Sequence, residues 1–508
     1  MSDTHKDPEK DNRNLGSKLK KGIAWQYLQT IFVTVFNFGA GIILARLLDP
    51  VDFGLFAAVT AIANMLLLQV NFGWPATLLR AKTLDEPLLS TVFWLMEAVA
   101  LILMIVVLFS VPFLGRFYED FRFAPVMVLV CLQFFIVPFN TINGSILRWK
   151  MRYDLVSRIS MIVVVIASSC GIFLAFKGFG VYSLVASGIL SSICLTTIMA
   201  IYAPWKPVFR FSLAAVKSHF DFTWRLHLNN SLNMLAGRID NMMIGKLLGI
   251  RPLGIYVKAF SLGRMPVDLL GTNLYQMFFT ALSQVRDNQS DSLLLFQKMI
   301  AALTFAIYLP LLILLIIGEG FVINLYGEKW SEAVLPMQIM IIGSFASVIS
   351  MTCGAFCDAQ NLVKQETKVQ CLNVILTITA VVVGSRWGLI GVSTGIALKA
   401  GIMVFFMKTI LSKGIGLAWS NLLRPIWPNL CAVLSGAIFA AGVIFSLGNT
   451  YSATNPFHML LISLTAITGY GVIWFLLAMR LRHYPELQAI LETGKAVLKK
   501  ITTKIQHQ

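Results

Sequence analysis

The sequence predicts an all-α polytopic membrane protein with about 14 transmembrane helices, arranged as two parallel six-helix repeats plus two C-terminal helices. Three observations predict it. The 508 residues are 57% hydrophobic and 13% charged, where a soluble chain is about one quarter charged. Apolar runs of roughly 18 to 25 residues, each long enough to cross a bilayer, recur from end to end. Finally, LARLLDPVDFGLF at 44–56 returns as IGKLLGIRPLGIY at 244–256. A basic residue before Leu-Leu (Arg46, Lys246) and a glycine eight positions later (Gly54, Gly254) carry that echo.

In order, the spans lie near 24–45, 54–78, 88–112, 123–146, 158–176, 180–203, 222–248, 253–280, 296–317, 333–357, 369–385, 388–408, 425–446 and 457–479. The first 22 residues are polar and basic and read as a cytoplasmic tail; no cleavable signal peptide is expected. Residues 23–203 form a first lobe of six spans, 204–221 a cytoplasmic connector, and 222–412 a second lobe of six. The two last spans occupy 424–480, and 481–508 is a second basic tail with apolar residues at helical spacing, suited to a membrane-surface helix. The shortest turns, Gly178-Phe-Gly-Val and Gly388-Leu-Ile-Gly-Val, fall just before the sixth span of each lobe and extend the repeat. Continuous apolar runs exclude the alternating pattern of an outer-membrane barrel. The seven cysteines all lie in apolar runs, so a disulfide framework is not expected; Cys353 and Cys357 read as small apolar packing residues.

Basic residues set the orientation. Of 41 Lys and Arg, 29 fall on one set of loops, seven (Arg46, Arg116, Arg122, Lys177, Arg251, Lys329, Arg386) on the other, and five within spans. This bias places both termini in the cytoplasm. The net charge of +17 then reflects topology and contact with anionic lipid rather than nucleic-acid binding. Six spans separate residue 44 from residue 244, so the two copies share one orientation, as parallel repeats do.

Charges inside spans are costly, about 2.5–3.5 kcal/mol each at the bilayer centre, and mark protein interiors or wet cavities. They concentrate in spans seven and eight: Arg238, Asp240 and Lys246, then Lys258, Arg264 and Asp268. The first lobe offers Glu97 inside span three, with Arg46 and Arg80 at span ends. Arg46, Arg80, Arg238, Lys246, Lys258 and Arg264 are candidates to line a cationic cavity for an anionic headgroup. Glu97, Asp240 and Asp268 are candidates for ion coupling. Structural roles stand beside these: Arg264 and Asp268 are four apart on one helix face and able to neutralise each other, and Arg46 and Lys246 are placed to snorkel. Lys399 has no assigned role.

At these residues the chain resembles a known family. Gly22-x-x-Trp25, Arg46-Leu-Leu-Asp-Pro50-x-Asp-Phe-Gly54-Leu-Phe56, Arg238-Ile-Asp240, Gly245-Lys246-Leu-Leu-Gly249, Leu253-Gly254-Ile-Tyr256, Pro266 and Tyr326-Gly-Glu-Lys-Trp330 before Pro336 are similar to bacterial polysaccharide transporters. The resemblance is to Wzx-type lipid-linked oligosaccharide flippases of the multidrug/oligosaccharidyl-lipid/polysaccharide exporter superfamily, nearest the colanic-acid-type branch. It departs at Met277-Phe-Phe-Thr280, where many relatives carry Phe-Pro.

The resemblance implies two lobes in a V-shaped arrangement and alternating access in a bacterial inner membrane. It implies an undecaprenyl-pyrophosphate-linked oligosaccharide substrate, moved from the cytoplasmic to the periplasmic leaflet for O-antigen, capsule or exopolysaccharide assembly. A coupling ion (H+ or Na+), a polymerase and glycan-assembly proteins are the implied partners. No cofactor, metal or catalytic residue is expected, and no Walker-type phosphate loop is present. The competing readings are a multidrug or cation antiporter and a peptidoglycan-precursor flippase. A membrane glycan polymerase or ligase is disfavoured, since the short external loops hold no constellation of Asp, Glu or His.

Overall fold

In hydrocarbon an unpaired backbone amide costs several kcal/mol, so apolar runs of this length fold as helices that satisfy their own backbone. A computed structural model describes residues 8–480, and among these no strand occurs. The proposed amphipathic tail at 481–508 lies outside the described residues.

The first part of the chain comprises α1 (Pro8–Leu47), α2 (Pro50–Asn71), α3 (Trp74–Arg80), α4 (Glu86–Tyr118), α5 (Phe123–Cys131), α6 (Gln133–Trp149), α7 (Tyr153–Phe176), α8 (Val181–Tyr202) and α9 (Leu213–Leu247). The polar stretch from Pro8 onward is continuous with the first apolar helix. Prolines stand in the first turns of α2, α3 and α4, where the missing N–H costs no helical hydrogen bond. Then come α10 (Ile250–Gln284), α11 (Gln289–Tyr326), α12 (Val334–Ala359), α13 (Val363–Gly384), α14 (Gly388–Ile415), the short α15 (Trp419–Leu423), α16 (Trp427–Leu447) and α17 (Pro456–Arg480).

The repeat appears in the element boundaries. α1 ends at Leu47 and α9 at Leu247, while α2 begins at Pro50 and α10 at Ile250. Gly180 before α8 and Gly388 at the start of α14 both adopt positive φ, 53° and 67°. Both turns thus need a residue without a Cβ.

Eleven stretches of the described residues are long and apolar enough to cross a membrane, and one of them, 365–415, holds both α13 and α14. α9 and α10, 35 residues each, are long enough but are not among the eleven. Their charged and amide side chains account for the difference.

The chain divides into two compact units, Met1–Gly254 and Ile255–Gln508. α9 packs on α2, α3 and α4 within the first unit. In the first unit α1 packs along α7, α7 along α8, and α6 along α8.

In the second unit α14 packs on α12 and α13, and α11 on α12, α16 and α17. Asn429, fully buried in α16, pins the last two helices to α11. Its amide donates to the Ala301 carbonyl (3.0 Å) and Thr304 Oγ1 (2.7 Å), and its carbonyl accepts from Trp474 Nε1 (2.9 Å). Cys353 and Cys357 are fully buried on α12, consistent with a packing role.

Candidate functional site

A break in the second span positions the first part of the site. α2 stops at Phe72 and Gly73, both at positive φ (43° and 82°), and α3 leaves in a new direction. A Cβ on Gly73 would stand 3.1 Å from the Thr223 carbonyl of α9. The re-aimed α3 is tied to α9 by a buried hydrogen bond between the Thr77 and Thr223 hydroxyls, 2.7 Å. One turn further along α9, the buried His227 ring stacks on Phe72 at 4.3 Å, and its Nε2 meets Gln69 Oε1 at 3.0 Å. Sequence reasoning missed both contacts, since only the fold brings residues 69–77 to residues 223–227.

This arrangement delivers Arg80, the last residue of α3, to the rim of a cavity of about 920 Å³. Its guanidinium lies over the Phe222 ring, 4.7 Å from the centroid. The cavity also takes in Lys82, Thr83 and Asp85 from the loop and His219, Asp221 and Arg225 from α9.

The other expected cations of the first unit lie elsewhere. Lys246 Nζ donates to the Phe117 carbonyl (2.9 Å), sits 3.8 Å from the Glu119 carboxylate, and lies over the Phe117 ring at 4.7 Å. Phe222 and Lys246 are about 36 Å apart along α9, given a rise of 1.5 Å per residue. Arg80 and Lys246 therefore belong to opposite ends of the unit. Arg46 is exposed on the last turn of α1, at the position matching Lys246 on α9. Arg238 is exposed mid-helix and makes no hydrogen bond or ion pair among the described residues. Asp240 is buried, and its Oδ1 accepts from the Asn241 amide at 2.8 Å. Glu97 is half-buried on α4, also without a hydrogen-bond or ion-pair partner among the described residues.

In the second unit Lys258 reaches the Tyr326-Gly-Glu-Lys-Trp330 motif. Its ammonium lies 5.2 Å from the Tyr326 centroid and 5.9 Å from that of Trp330, within cation–π range. Two motif segments that are far apart in sequence thus form one feature. Arg264 pairs with Asp268 along α10 at 3.4 Å and lies over Phe260. Their side chains are 35% and 61% exposed, so the pair lies on an exposed face of α10.

The sequence also left a polar cluster unseen. Tyr275 Oη donates to Asp358 Oδ2 at 2.5 Å, and the Asp358 and Glu366 carboxyls are hydrogen-bonded across the turn joining α12 to α13, with Gln370 beside them. Two acids flanking a short turn were the available signal. Lys399, given no role from sequence, donates to Thr377 Oγ1 at 3.0 Å.

Against this geometry, comparison with known proteins is decisive. A family model described as polysaccharide biosynthesis protein matches residues 43–335, more than half of the chain. The chain belongs to this family. Among curated members, the lipopolysaccharide biosynthesis protein WzxC of Escherichia coli (strain K12) is 21% identical over 402 residues, covering 78% of this chain and 81% of WzxC. The teichuronic acid biosynthesis protein TuaB of Bacillus subtilis (strain 168) is 23% identical over 346 residues, covering 66% and 70% respectively.

Among solved structures, the lipid II flippase MurJ in an inward closed conformation superimposes with a TM-score of 0.70 at 15% identity, over 90% of this chain and 99% of that one. An inward-facing multidrug resistance MATE family transporter of the MOP superfamily gives 0.58 at 17%, over 77% and 94%. At these identities the structures establish the fold. They bear out the expected polytopic helical architecture, and the family bears out the sequence resemblance.

Proposed function

We propose that this family member is a flippase, not an enzyme, that moves polyprenyl-diphosphate-linked oligosaccharide repeat units across the bacterial inner membrane for surface-glycan assembly. Family membership over residues 43–335 and the names of its relatives support the pathway. One structural observation supports translocation of a charged headgroup: α9 and α10 are full-length helices too polar for the apolar set. Charged helices in a bilayer must face protein or water.

Counting α9 and α10 with the eleven apolar stretches, one of which holds two helices, yields the proposed fourteen crossings. The 29-to-7 loop bias supports cytoplasmic termini. Energy comes from an ion gradient, the membrane potential or removal of product. Arg238, Lys258 and Arg264 meet the diphosphate or acidic sugars in transit. Glu97, Asp240 and Asp268 are the proposed coupling acids.

The test is export of the surface glycan in cells whose only copy carries Lys258→Gln with Arg264→Gln. Loss of glycan with normal protein in the membrane is expected. Normal export would sink the role given to these cations.

A further inference from the structure

The cavity beside α3 is built like an anion site and has not yet been given a task. Its lining carries three basic side chains, Arg80, Lys82 and Arg225, against two carboxylates, Asp85 and Asp221. Both carboxylates are engaged: Asp221 holds Arg225 Nε at 3.1 Å, and Asp85 accepts the Thr83 hydroxyl at 3.1 Å. Arg80 and Lys82 make no ion pair among the described residues. Two cations therefore face one open volume without a carboxylate of their own.

The geometry of Arg80 is prepared. The Arg80 guanidinium lies over the Phe222 ring, 4.7 Å from its centroid, a cation–π contact that uses the ring face and no N–H acceptor. The ring sits on α9, and α9 is locked to α3 by the Thr77–Thr223 hydrogen bond, so both partners of the stack stand on one braced support. A planar, rigid donor set beside a mobile lysine suits tetrahedral phosphate oxygens better than a single carboxylate. The volume, about 920 Å³, falls in the range of roughly 300–1,000 Å³ typical of ligand clefts and exceeds what one inorganic ion requires.

Its position narrows the ligand. The cavity lies where the apolar stretch of α2 and α3 ends and the loop to α4 begins. The α6–α7 loop is adjacent, since Trp149 Nε1 donates to the Ala81 carbonyl at 3.1 Å. The connector before α9 is adjacent too, with Trp94 Nε1 donating to the Val208 carbonyl at 3.0 Å. These are the Lys- and Arg-rich loops that the charge bias assigns to the cytoplasm. An anion held here with its tail in the bilayer would sit at headgroup depth in the inner leaflet.

We propose that this cavity is a loading site for the diphosphate of a polyprenyl-linked substrate, with Arg80, Lys82 and Arg225 as its ligands. The site is separate from the cations within α9 and α10 and acts before translocation. The proposal rests on the flippase reading for its lipid and on the cavity itself for its diphosphate.

The test measures binding of farnesyl diphosphate to the purified full-length protein in lipid nanodiscs, with farnesol and inorganic pyrophosphate as comparators. Arg80→Gln with Lys82→Gln should weaken farnesyl diphosphate at least tenfold while leaving the melting temperature unchanged. Arg225→Gln should weaken it less, because that guanidinium is shared with Asp221. Lys177→Gln, a charge removed outside the cavity, should have no effect, and farnesol should bind neither protein. Unchanged affinity in the folded double variant overturns the site. Competition by inorganic pyrophosphate as strong as by farnesyl diphosphate overturns its assignment to a lipid headgroup in favour of a soluble anion. Glycan export by the same variants separates the two readings: export intact with binding unaltered removes the loading site alone. A wild-type protein that neither binds the diphosphate nor restores export removes the flippase reading as well.

Discussion

Gly54 and Gly254 pack backbone against backbone, each in the space where the other's side chain would stand. A Cβ on Gly54 would lie 2.9 Å from the Gly254 amide nitrogen and would overlap the Ile250 carbonyl. A Cβ on Gly254 would lie 2.9 Å from the Gly54 amide nitrogen and would overlap the Pro50 carbonyl. The reciprocity is that of a local two-fold relation between the first turns of α2 and α10. The glycines that mark the repeat in sequence thus meet in space.

Gly54→Ala and Gly254→Ala should each destabilise the protein by about 1–3 kcal/mol, the usual cost of overpacking, because the clash is with backbone that cannot rotate away. Thermal melting in detergent, with membrane yield, measures it. Gly39→Ala, where a Cβ would meet nothing within 4 Å, should stay within about 0.5 kcal/mol of wild type. Equal melting of all three variants would contradict the contact.

Asn429→Leu should cost about 1–3 kcal/mol by stranding the Trp474 indole N–H, a buried donor. The loss should appear first as protease sensitivity in the α16–α17 region, since the same amide joins α16 to Ala301 and Thr304 of α11.

Asp120 predicts an acid limb of stability. It lies in the turn between α4 and α5, outside the spans. Burial pushes its carboxyl upward, but the Arg122 side-chain hydrogen bond, the Arg122 amide and the guanidinium charge outweigh this and hold it below its ordinary 3.8. A depressed folded value means the interaction stabilises fully above the unfolded value and fades as pH falls through the folded one. Melting temperature should therefore drop on acidification below about pH 4, and Asp120→Asn should lower it at neutral pH while flattening that drop. An unaltered acid limb in the variant would exclude the pair as its source.

Arg264→Gln alone should change stability by no more than about 0.5 kcal/mol, the worth of an exposed helical ion pair. Any loss of glycan export in that variant then reports function rather than folding. A large fall in melting temperature would show that the pair carries structure.

Some of the site was legible because the relevant signal is local. Asp52 shows where that stops. It stands in the Asp-Phe-Gly segment of the family resemblance, yet its buried carboxylate accepts the Asp49 amide at 3.4 Å and Arg122 at 3.3 Å. The first contact is three residues away and readable; the second is seventy residues away and is not. Lys246 and Arg80 are equal candidates for the cationic cavity in sequence, but one is held by the Phe117 carbonyl and the other opens onto a cavity.

The amino-acid sequence by itself determined the helical class, the 200-residue offset between copies, where α1 and α9 end, and the helices that carry charge. These follow from hydropathy and turn chemistry acting over a few residues. Only the tertiary structure decided what each charge faces: Lys258 between two rings, Arg264 on its own helix partner, Arg80 at a cavity, and Asp358 against Glu366 and Tyr275. It also packed α9 against α2, α3 and α4. Partners for a charge are chosen by packing between helices distant in sequence, and no periodicity along a single helix encodes that choice.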